Sequence, residues 1–337
     1  MERPRLGPAV WLALALCLAL RLLLALLPER SLLVADSVRI RDSWRVESGL
    51  RSGAEMSPRV LVSGSSRLLS MKPKQHAKQL GLPASEVAHV SKVGNGWWDT
   101  LTLLRRNPAL LEDLELLVMD VYPAQARVSE RFSENDLLFL SQAELRERWR
   151  VGHLGHRLQA LVDPLLPLWT RRLRVPEWLE LLREVMTGDT AVPEPVPEML
   201  RARDMWAEVS DHERVALQAE FLFPTTPRSG VELGALRDLA DRLPEGSRLL
   251  LVWLPFRHDF RELVSRDEGM RSSRASFRAL LEGFDHPRVE VVWFDDQKEL
   301  GLLDEDYTAD GAHLTPKGNA KLLGALARLE RQIMRNP

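Results

Sequence analysis

The sequence predicts an α/β fold in which about five parallel strands lie between two layers of helices. Short apolar runs, several rich in β-branched residues, recur along the chain, and segments with helical spacing alternate with them. Several of these runs are continuously apolar, as is typical of strands buried on both faces of a parallel sheet. These features indicate a three-layer, flavodoxin-like domain, whose ligands bind at the carboxyl ends of the strands.

The predicted strands are short, and three of them end at small residues, proline or glycine. In chain order they are the run after Arg59 and residues 86–93, 114–121, 249–254 and 289–294. The predicted helices alternate with them: one directly after the first strand, then residues 97–106, 231–242 and 273–282, and a last one to the C-terminus. Thr315 is the expected N-cap of that last helix, with Pro316 at its first position.

The N-terminus predicts a membrane anchor. Two arginines precede an apolar run over residues 9–27, which is broken only by Arg21. At about 1.5 Å per residue this run matches a bilayer core of about 30 Å. It is longer than the apolar region of a cleaved signal peptide, so a retained anchor at 1–30 is favoured over the two alternatives, a cleaved signal peptide and a buried core helix. Basic residues before the span place everything after it, beginning with a stalk at 31–58, outside the cytoplasm. The expected location is the inner (cytoplasmic) membrane.

A helical insertion is predicted to interrupt the α/β domain. The domain itself is assigned to residues 59–123 and 229–337, and residues 124–228 between them show helical stretches and prolines but no clear strand. Two interpretations remain open. The insertion is either a covering subdomain with its own core, or a lid or docking surface for a membrane partner.

Composition excludes several classes of function. The net charge of -2 gives no concentrated basic surface for nucleic acid. The single cysteine, Cys17, excludes an intrachain disulfide and a multi-cysteine zinc site. His153 and His156 have no carboxylate or cysteine at metal-ligand spacing, and no phosphate-binding glycine loop follows a strand. Neither a metal nor an organic cofactor is therefore expected.

Two short motifs predict a hydroxyl nucleophile with its base. Ser66 ends a small-residue turn, Gly64-Ser65-Ser66, just after the first strand. Asp310 and His313 stand three residues apart before the last helix. On a parallel sheet both segments open onto the same edge, so the carboxylate can orient the imidazole and the imidazole can serve the serine. Ser66, His313 and Asp310 are the predicted catalytic residues.

The G-x-S turn and the D-x-x-H pair resemble the first and last blocks of the SGNH (GDSL-like) hydrolase superfamily. The resemblance covers roughly residues 59–123 and 230–335, with Ser65 standing where the family motif has aspartate. It implies an oxyanion donor in a glycine of the second block, for which Gly96 is the first choice and Gly94 the second.

The third block departs from the family pattern, because the chain has Asp120-Val121-Tyr122-Pro123 where G-x-N-D is expected. The asparagine donor is therefore missing, and Asn95 is a candidate replacement by composition only. Ser65, Asn95 and Gly96 complete the predicted site.

The chain is most similar to anchored SGNH-like proteins of bacterial envelopes. The resemblance rests on the combination of an anchor, a Gly-Ser-Ser first block and an incomplete third block. Those relatives act in teichoic-acid D-alanylation and alginate acetylation, several of them beside a membrane-bound O-acyltransferase. The resemblance thus implies an extracytoplasmic serine esterase or O-acyltransferase acting on acyl esters of an envelope polysaccharide. The alternative is a catalytically silent scaffold that partners a membrane-bound O-acyltransferase.

Overall fold

The computed structural model describes residues 57–92, 94–126, 209–224 and 230–335, with a few isolated positions before them. These four stretches all belong to one compact unit, Val46–Ser129 with Pro197–Pro337. The predicted anchor, stalk and insertion lie mostly outside the described residues. Within the described stretches, no helix combines the length and the apolar character needed to cross a membrane.

Five parallel strands form the sheet, in the order β2-β1-β3-β4-β5. The strands are β1 Val60–Val62, β2 Val87–His89, β3 Leu116–Asp120, β4 Arg248–Trp253 and β5 Val289–Trp293. This is the flavodoxin-like order, in which the connections pass to opposite sides of β1 and leave a crevice at the carboxyl ends of β1 and β3. The predicted α/β class and five-stranded parallel sheet are confirmed.

Helices cover both faces of the sheet. In the described stretches they are α1 Pro73–Leu80, α2 Trp97–Arg106, α3 Asp211–Leu222, α4 Gly230–Arg242, α5 His258–Arg266, α6 Glu268–Glu282 and α7 Pro316–Arg335. Side chains of β3 alternate between two hydrophobic clusters: Leu117 and Met119 face α2 to α6, while Leu116 and Val118 face α1 and α7. The central strands are therefore buried on both sides, which explains their continuous apolar runs.

The helix predicted directly after β1 is absent, and a turn stands there instead. The N–H groups of Leu68, Leu69 and Met71 donate to the carbonyl three residues back, at 3.1–3.3 Å, and α1 begins only at Pro73. Proline disfavours helical geometry in the residue before it, and Lys72 is accordingly extended. Ser66 therefore lies in a turn, and the prediction of a helix directly after the first strand is wrong.

Two of the observed helices also differ from the prediction. Helix α5 had no predicted counterpart, and α6 begins at Glu268 rather than at residue 273. Helix α3, which lies within the predicted insertion, buries Val215 and Ala219 in the same cluster as the sheet. This part of the segment thus belongs to the core of the α/β unit.

A buried chain of polar side chains lies on the α1/α7 side of the sheet. His76 Nε2 is 2.6 Å from Glu330 Oε2, and both side chains are fully buried. His76 Nδ1 is 2.9 Å from His89 Nε2. His89 Nδ1 donates to the Met71 carbonyl at 3.1 Å, at the end of the Ser66 turn. The chain therefore joins α7, α1 and β2 to the turn that carries Ser66.

We expect His89 to make stability depend on pH. Burial, and then repulsion from His76, lower the pKa of His89 to about 4, against about 6.5 in an unfolded chain. Between these values the unfolded state binds more protons, so stability is present above about pH 6.5 and is lost as the pH falls to about 4. The loss reaches up to about 3 kcal/mol.

Urea unfolding at pH 7.0 and pH 4.5 measures this loss, with His89→Gln as the matched variant. The glutamine amide can still donate to the Met71 carbonyl but takes up no proton. The variant should lose clearly less stability than the native protein over this interval. Equal losses in the two proteins would contradict a role for His89.

Candidate active site

The carboxyl ends of β1 and β4 and the loop before α7 bring together three side chains. Ser66 Oγ lies 2.8 Å from His313 Nε2, although the two residues are 247 positions apart. His313 Nδ1 lies 2.6 Å from Asp310 Oδ2. A carboxylate can only accept, so Nδ1 carries a proton towards Asp310 and leaves Nε2 able to accept the proton of the serine hydroxyl. The three predicted catalytic side chains thus form a continuous hydrogen-bonded chain.

Asp310 is held by hydrogen bonds from its own loop. Its Oδ1 accepts from Thr308 Oγ1 at 2.7 Å and from the N–H groups of Ala312 and His313 at 2.9 and 3.0 Å. Burial alone would raise the pKa of Asp310, but His313 and the N–H of Ala312 outweigh it and hold the pKa below its usual value. Asp310 is therefore ionised at neutral pH and oriented towards His313.

Arg257 fixes the backbone of the same loop. Its guanidinium donates to the carbonyls of Thr308 and Ala309 at 3.0 and 3.2 Å, and its N–H donates to the Gly311 carbonyl at 2.9 Å. Gly311 has φ +71°, and a Cβ there would lie 3.2 Å from Phe260 Cβ. The sharp bend between Asp310 and His313 thus depends on glycine.

The turn before Ser66 is anchored to the end of β3. Asp120 is fully buried, and its carboxylate accepts from the Ser65 N–H at 2.7 Å and from Ser65 Oγ at 2.5 Å. Ser65 is 1% exposed, and its side chain supports the turn. The structure thus places Ser65 in the interior against Asp120, and its role towards a substrate stays a prediction.

Gly64 allows this close approach, and we expect Gly64→Ala to disturb the turn. An added Cβ would lie 2.5 Å from Leu68 Cδ1 and 2.7 Å from Asp120 Oδ1, both in a closely packed interior. The expected cost is about 1–3 kcal/mol in the free energy of unfolding, as for other overpacked sites. Urea unfolding measures it. In the control variant Gly234→Ala, the new Cβ meets nothing within 4 Å, so an equal loss there would refute the packing argument.

The loop after β2 contains the predicted oxyanion donors. The Gly96 N–H donates to Asp99 Oδ2 at 3.0 Å, so in this structure it is occupied and the first choice for the donor is not available. Asn95 is 1% exposed, and its Nδ2 donates to the hydroxyls of Ser63 and Thr100 at 3.2 and 3.1 Å. The structure therefore places Asn95 in an internal polar contact, and its role as a donor to substrate stays a prediction.

Gly94, the second choice for the oxyanion donor, is better placed for that role than Gly96. It is half-buried, whereas Gly96 is buried. Its loop is held against the Ser66 turn because the Lys92 N–H donates to the Gly64 carbonyl at 3.0 Å. The N–H groups of Gly94 and Ser66 donate to no other described residue.

Four supporting residues were not predicted: Thr308, Arg257, Asp120 and Arg67. The first two hold the Asp310 loop, and the other two hold the Ser66 turn. Thr308 stands two positions before Asp310, so a local T-x-D pattern was visible but is too common to be informative. The partners of the other three are distant in the chain, and no sequence signal identifies them.

Across the described stretches, no cluster of three or more potential metal ligands occurs.

Comparisons with known proteins add little to this geometry. No protein-family model matches the chain, and no curated protein matches it either. One similar solved structure is described as "a putative platelet activating factor from Streptococcus pneumonia". It shares 13% identity, covers 93% of this chain and 98% of its own, and has a TM-score of 0.38. A TM-score at that level carries no argument. The fold and site therefore define the class directly: a flavodoxin-like α/β protein with a serine–histidine–aspartate chain at the carboxyl edge of its sheet.

Proposed function

We propose that this protein is an SGNH-type serine esterase or O-acyltransferase. The observation that carries the proposal is the hydrogen-bonded chain Ser66–His313–Asp310. It supplies a hydroxyl nucleophile, a base within reach and a carboxylate that fixes the tautomer of the base.

Ser66 Oγ attacks the acyl carbonyl carbon, and its proton passes to His313 Nε2. The C–O bond to the leaving alcohol then breaks, and His313 returns the proton to that alcohol. In the second half, water or a sugar hydroxyl gives its proton to His313 and attacks the acyl carbon of the acyl-enzyme. The bond from that carbon to Ser66 Oγ then breaks, and His313 returns the proton to Oγ. Asp310 stabilises the imidazolium at each stage without taking the proton.

The tetrahedral intermediate needs donors for its oxyanion. The N–H groups of Ser66 and Gly94 are the best candidates, since the Gly96 N–H is occupied by Asp99. An alternative is that substrate binding releases Gly96 from Asp99.

The substrate that we propose is an acyl ester of a cell-envelope polysaccharide, on the outer side of the cytoplasmic membrane. This part of the proposal rests on the apolar run at residues 9–27, the basic residues before it and the SGNH resemblance. A membrane-bound O-acyltransferase is the proposed partner. No metal or organic cofactor takes part in the proposed reaction.

A second candidate function is a catalytically silent scaffold for such an acyltransferase. One observation favours it. Tyr122 stands where the resemblance expects the asparagine donor, while the Gly96 N–H is occupied by Asp99. Two expected oxyanion donors are thus not available in this structure.

Covalent labelling separates the two functions. Full-length protein in mild detergent is treated with a fluorophosphonate, and the adduct is located by peptide mass spectrometry. A serine hydrolase gains one adduct, on Ser66, and Ser66→Ala and His313→Ala lose it. Ser70→Ala, an exposed serine of the same turn, is the matched control and should label like the native protein. A folded but unlabelled native protein would support the scaffold.

A further inference from the structure

Arg67, the residue after Ser66, is a buried cation that the triad mechanism does not use. It is 5% exposed. Burial lowers the pKa of its guanidinium, and the nearby Asp120 and Asp310 oppose that shift. Among the described carboxylates, none forms an ion pair with it. Its contacts must therefore be explained by something other than a salt bridge.

The guanidinium instead binds main-chain carbonyls from two other segments. Nη2 donates to the carbonyls of Leu254 and Pro255, which follow β4, at 3.2 and 2.7 Å. Nε donates to the Ala312 carbonyl at 3.2 Å. The cation also lies over the ring of Phe256, 4.2 Å from its centroid, a contact that favours a planar guanidinium.

These contacts connect the two halves of the candidate triad. Ala312 directly precedes His313, and its N–H donates to Asp310 Oδ1. Because Arg67 directly follows Ser66, the bond from Nε to Ala312 joins the base loop to the nucleophile turn beside the Ser66–His313 bond itself. The bonds to Leu254 and Pro255 fix the same guanidinium to the end of β4.

We propose that Arg67 is a positioning residue, whose guanidinium holds the loop of His313 against the turn of Ser66 so that Oγ and Nε2 stay at hydrogen-bond distance. The inference rests on the proposed function of Ser66. Lysine keeps the positive charge but lacks the planar guanidinium, so it cannot donate hydrogen bonds to the carbonyls of both segments in the same way.

The test measures kcat and KM for p-nitrophenyl acetate, and the rate of fluorophosphonate labelling, in full-length Arg67→Ala, Arg67→Lys and Arg59→Ala. Arg59 is the matched control, because it lies at the other end of β1 and binds Glu115 and Glu86 at 2.8 and 3.0 Å. Both alanine variants lose an arginine that bridges segments, but only Arg67 touches the base loop. All rates are expressed per folded molecule.

We expect Arg67→Ala to lower kcat and the labelling rate roughly 100-fold, because a displacement of the His313 loop by about 1 Å has an effect of this size. KM should change by less than about threefold. Arg67→Lys should lose about tenfold, and it provides the measurement if Arg67→Ala does not fold. Guanidinium ion at about 50 mM should partly restore Arg67→Ala but not Arg59→Ala, and urea at the same concentration should restore neither.

Two results would overturn the inference. If the Arg67 variants keep a kcat within about threefold of Arg59→Ala while the native protein is labelled at Ser66, the proposed function stands and the positioning role fails. If the native protein is folded but not labelled, the proposed function fails and the positioning role falls with it.

Discussion

Replacement of Asp310 by asparagine is expected to lower kcat for an acyl ester by about 10⁴-fold while leaving the fold intact. The amide oxygen can keep the three hydrogen bonds that Oδ1 accepts from Thr308 and from the N–H groups of Ala312 and His313. The amide nitrogen then faces His313 Nδ1 and donates to it. This reverses the tautomer, puts the ring proton on Nε2 and removes the acceptor for the Ser66 proton.

Steady-state turnover of p-nitrophenyl acetate measures the effect, with circular dichroism to establish that the variant is folded. Asp285→Asn, an exposed aspartate, is the control and should be indistinguishable from the native protein. Thr308→Val removes one of the supporting bonds and should cost about tenfold, since the carboxylate keeps its other partners. A kcat of Asp310→Asn within tenfold of the native value would remove Asp310 from the mechanism.

The largest expected effect on stability comes from Glu330→Ala. Glu330 and His76 are fully buried and 2.6 Å apart. Removing one partner of such a pair leaves the other without its acceptor in a dry interior, at a cost of about 3–5 kcal/mol. The loss of stability should extend to the Ser66 turn, because His89 links His76 to the Met71 carbonyl.

A double variant tests this explanation. His76→Leu combined with Glu330→Leu removes both polar groups, and replacing a buried pair by apolar residues is often neutral. It should therefore be more stable than Glu330→Ala. Gln332→Ala, an exposed position of α7, should change stability by less than about 0.5 kcal/mol. Urea unfolding measures all three variants. A double variant less stable than Glu330→Ala would show that the cost arises from lost packing.

The sheet could be predicted from sequence because its strands are buried on both faces. The apolar runs Val60–Val62 and 116–119 have no polar interruption, a pattern that is typical of a parallel strand with helices on both sides. Helix α2 was predicted with its observed ends, residues 97–106, since Gly96 precedes it and Asn107 follows it. Thr315 caps α7 as expected, accepting from the Gly318 N–H at 3.2 Å.

The turn after β1 could not be predicted in this way. Leu68, Leu69 and Met71 have a spacing that a helix can use, but Leu68 and Met71 are buried by tertiary packing and Leu69 is half-buried. The restriction that Pro73 places on Lys72 was a local signal for the end of any helix there. Arg67 resembled the many arginines of solvated helix faces, and its burial depends on carbonyls about 187 and 245 positions away.

In the candidate site, too, the sequence predicts some features and not others. Ser66, Asp310 and His313 were found because chemistry restricts the residue types and topology restricts the edge of the sheet. The proposed oxyanion donors are backbone groups, and their availability depends on hydrogen bonds such as the one from Gly96 to Asp99. Residue identity does not encode that competition, so only the structure gives a reason to propose Gly94 rather than Gly96.

The order of the candidate triad along the chain has a consequence for biosynthesis. Ser66 precedes His313 by 247 positions, and the ribosome adds about 5–20 residues per second, so the serine emerges roughly ten to fifty seconds before its base. Helix α7, which covers one face of the sheet, is completed later still. Under the proposed mechanism, a chain that is terminated before residue 310 carries Ser66 but lacks the base that would take its proton. Such incomplete products are then expected to be inert towards acyl esters.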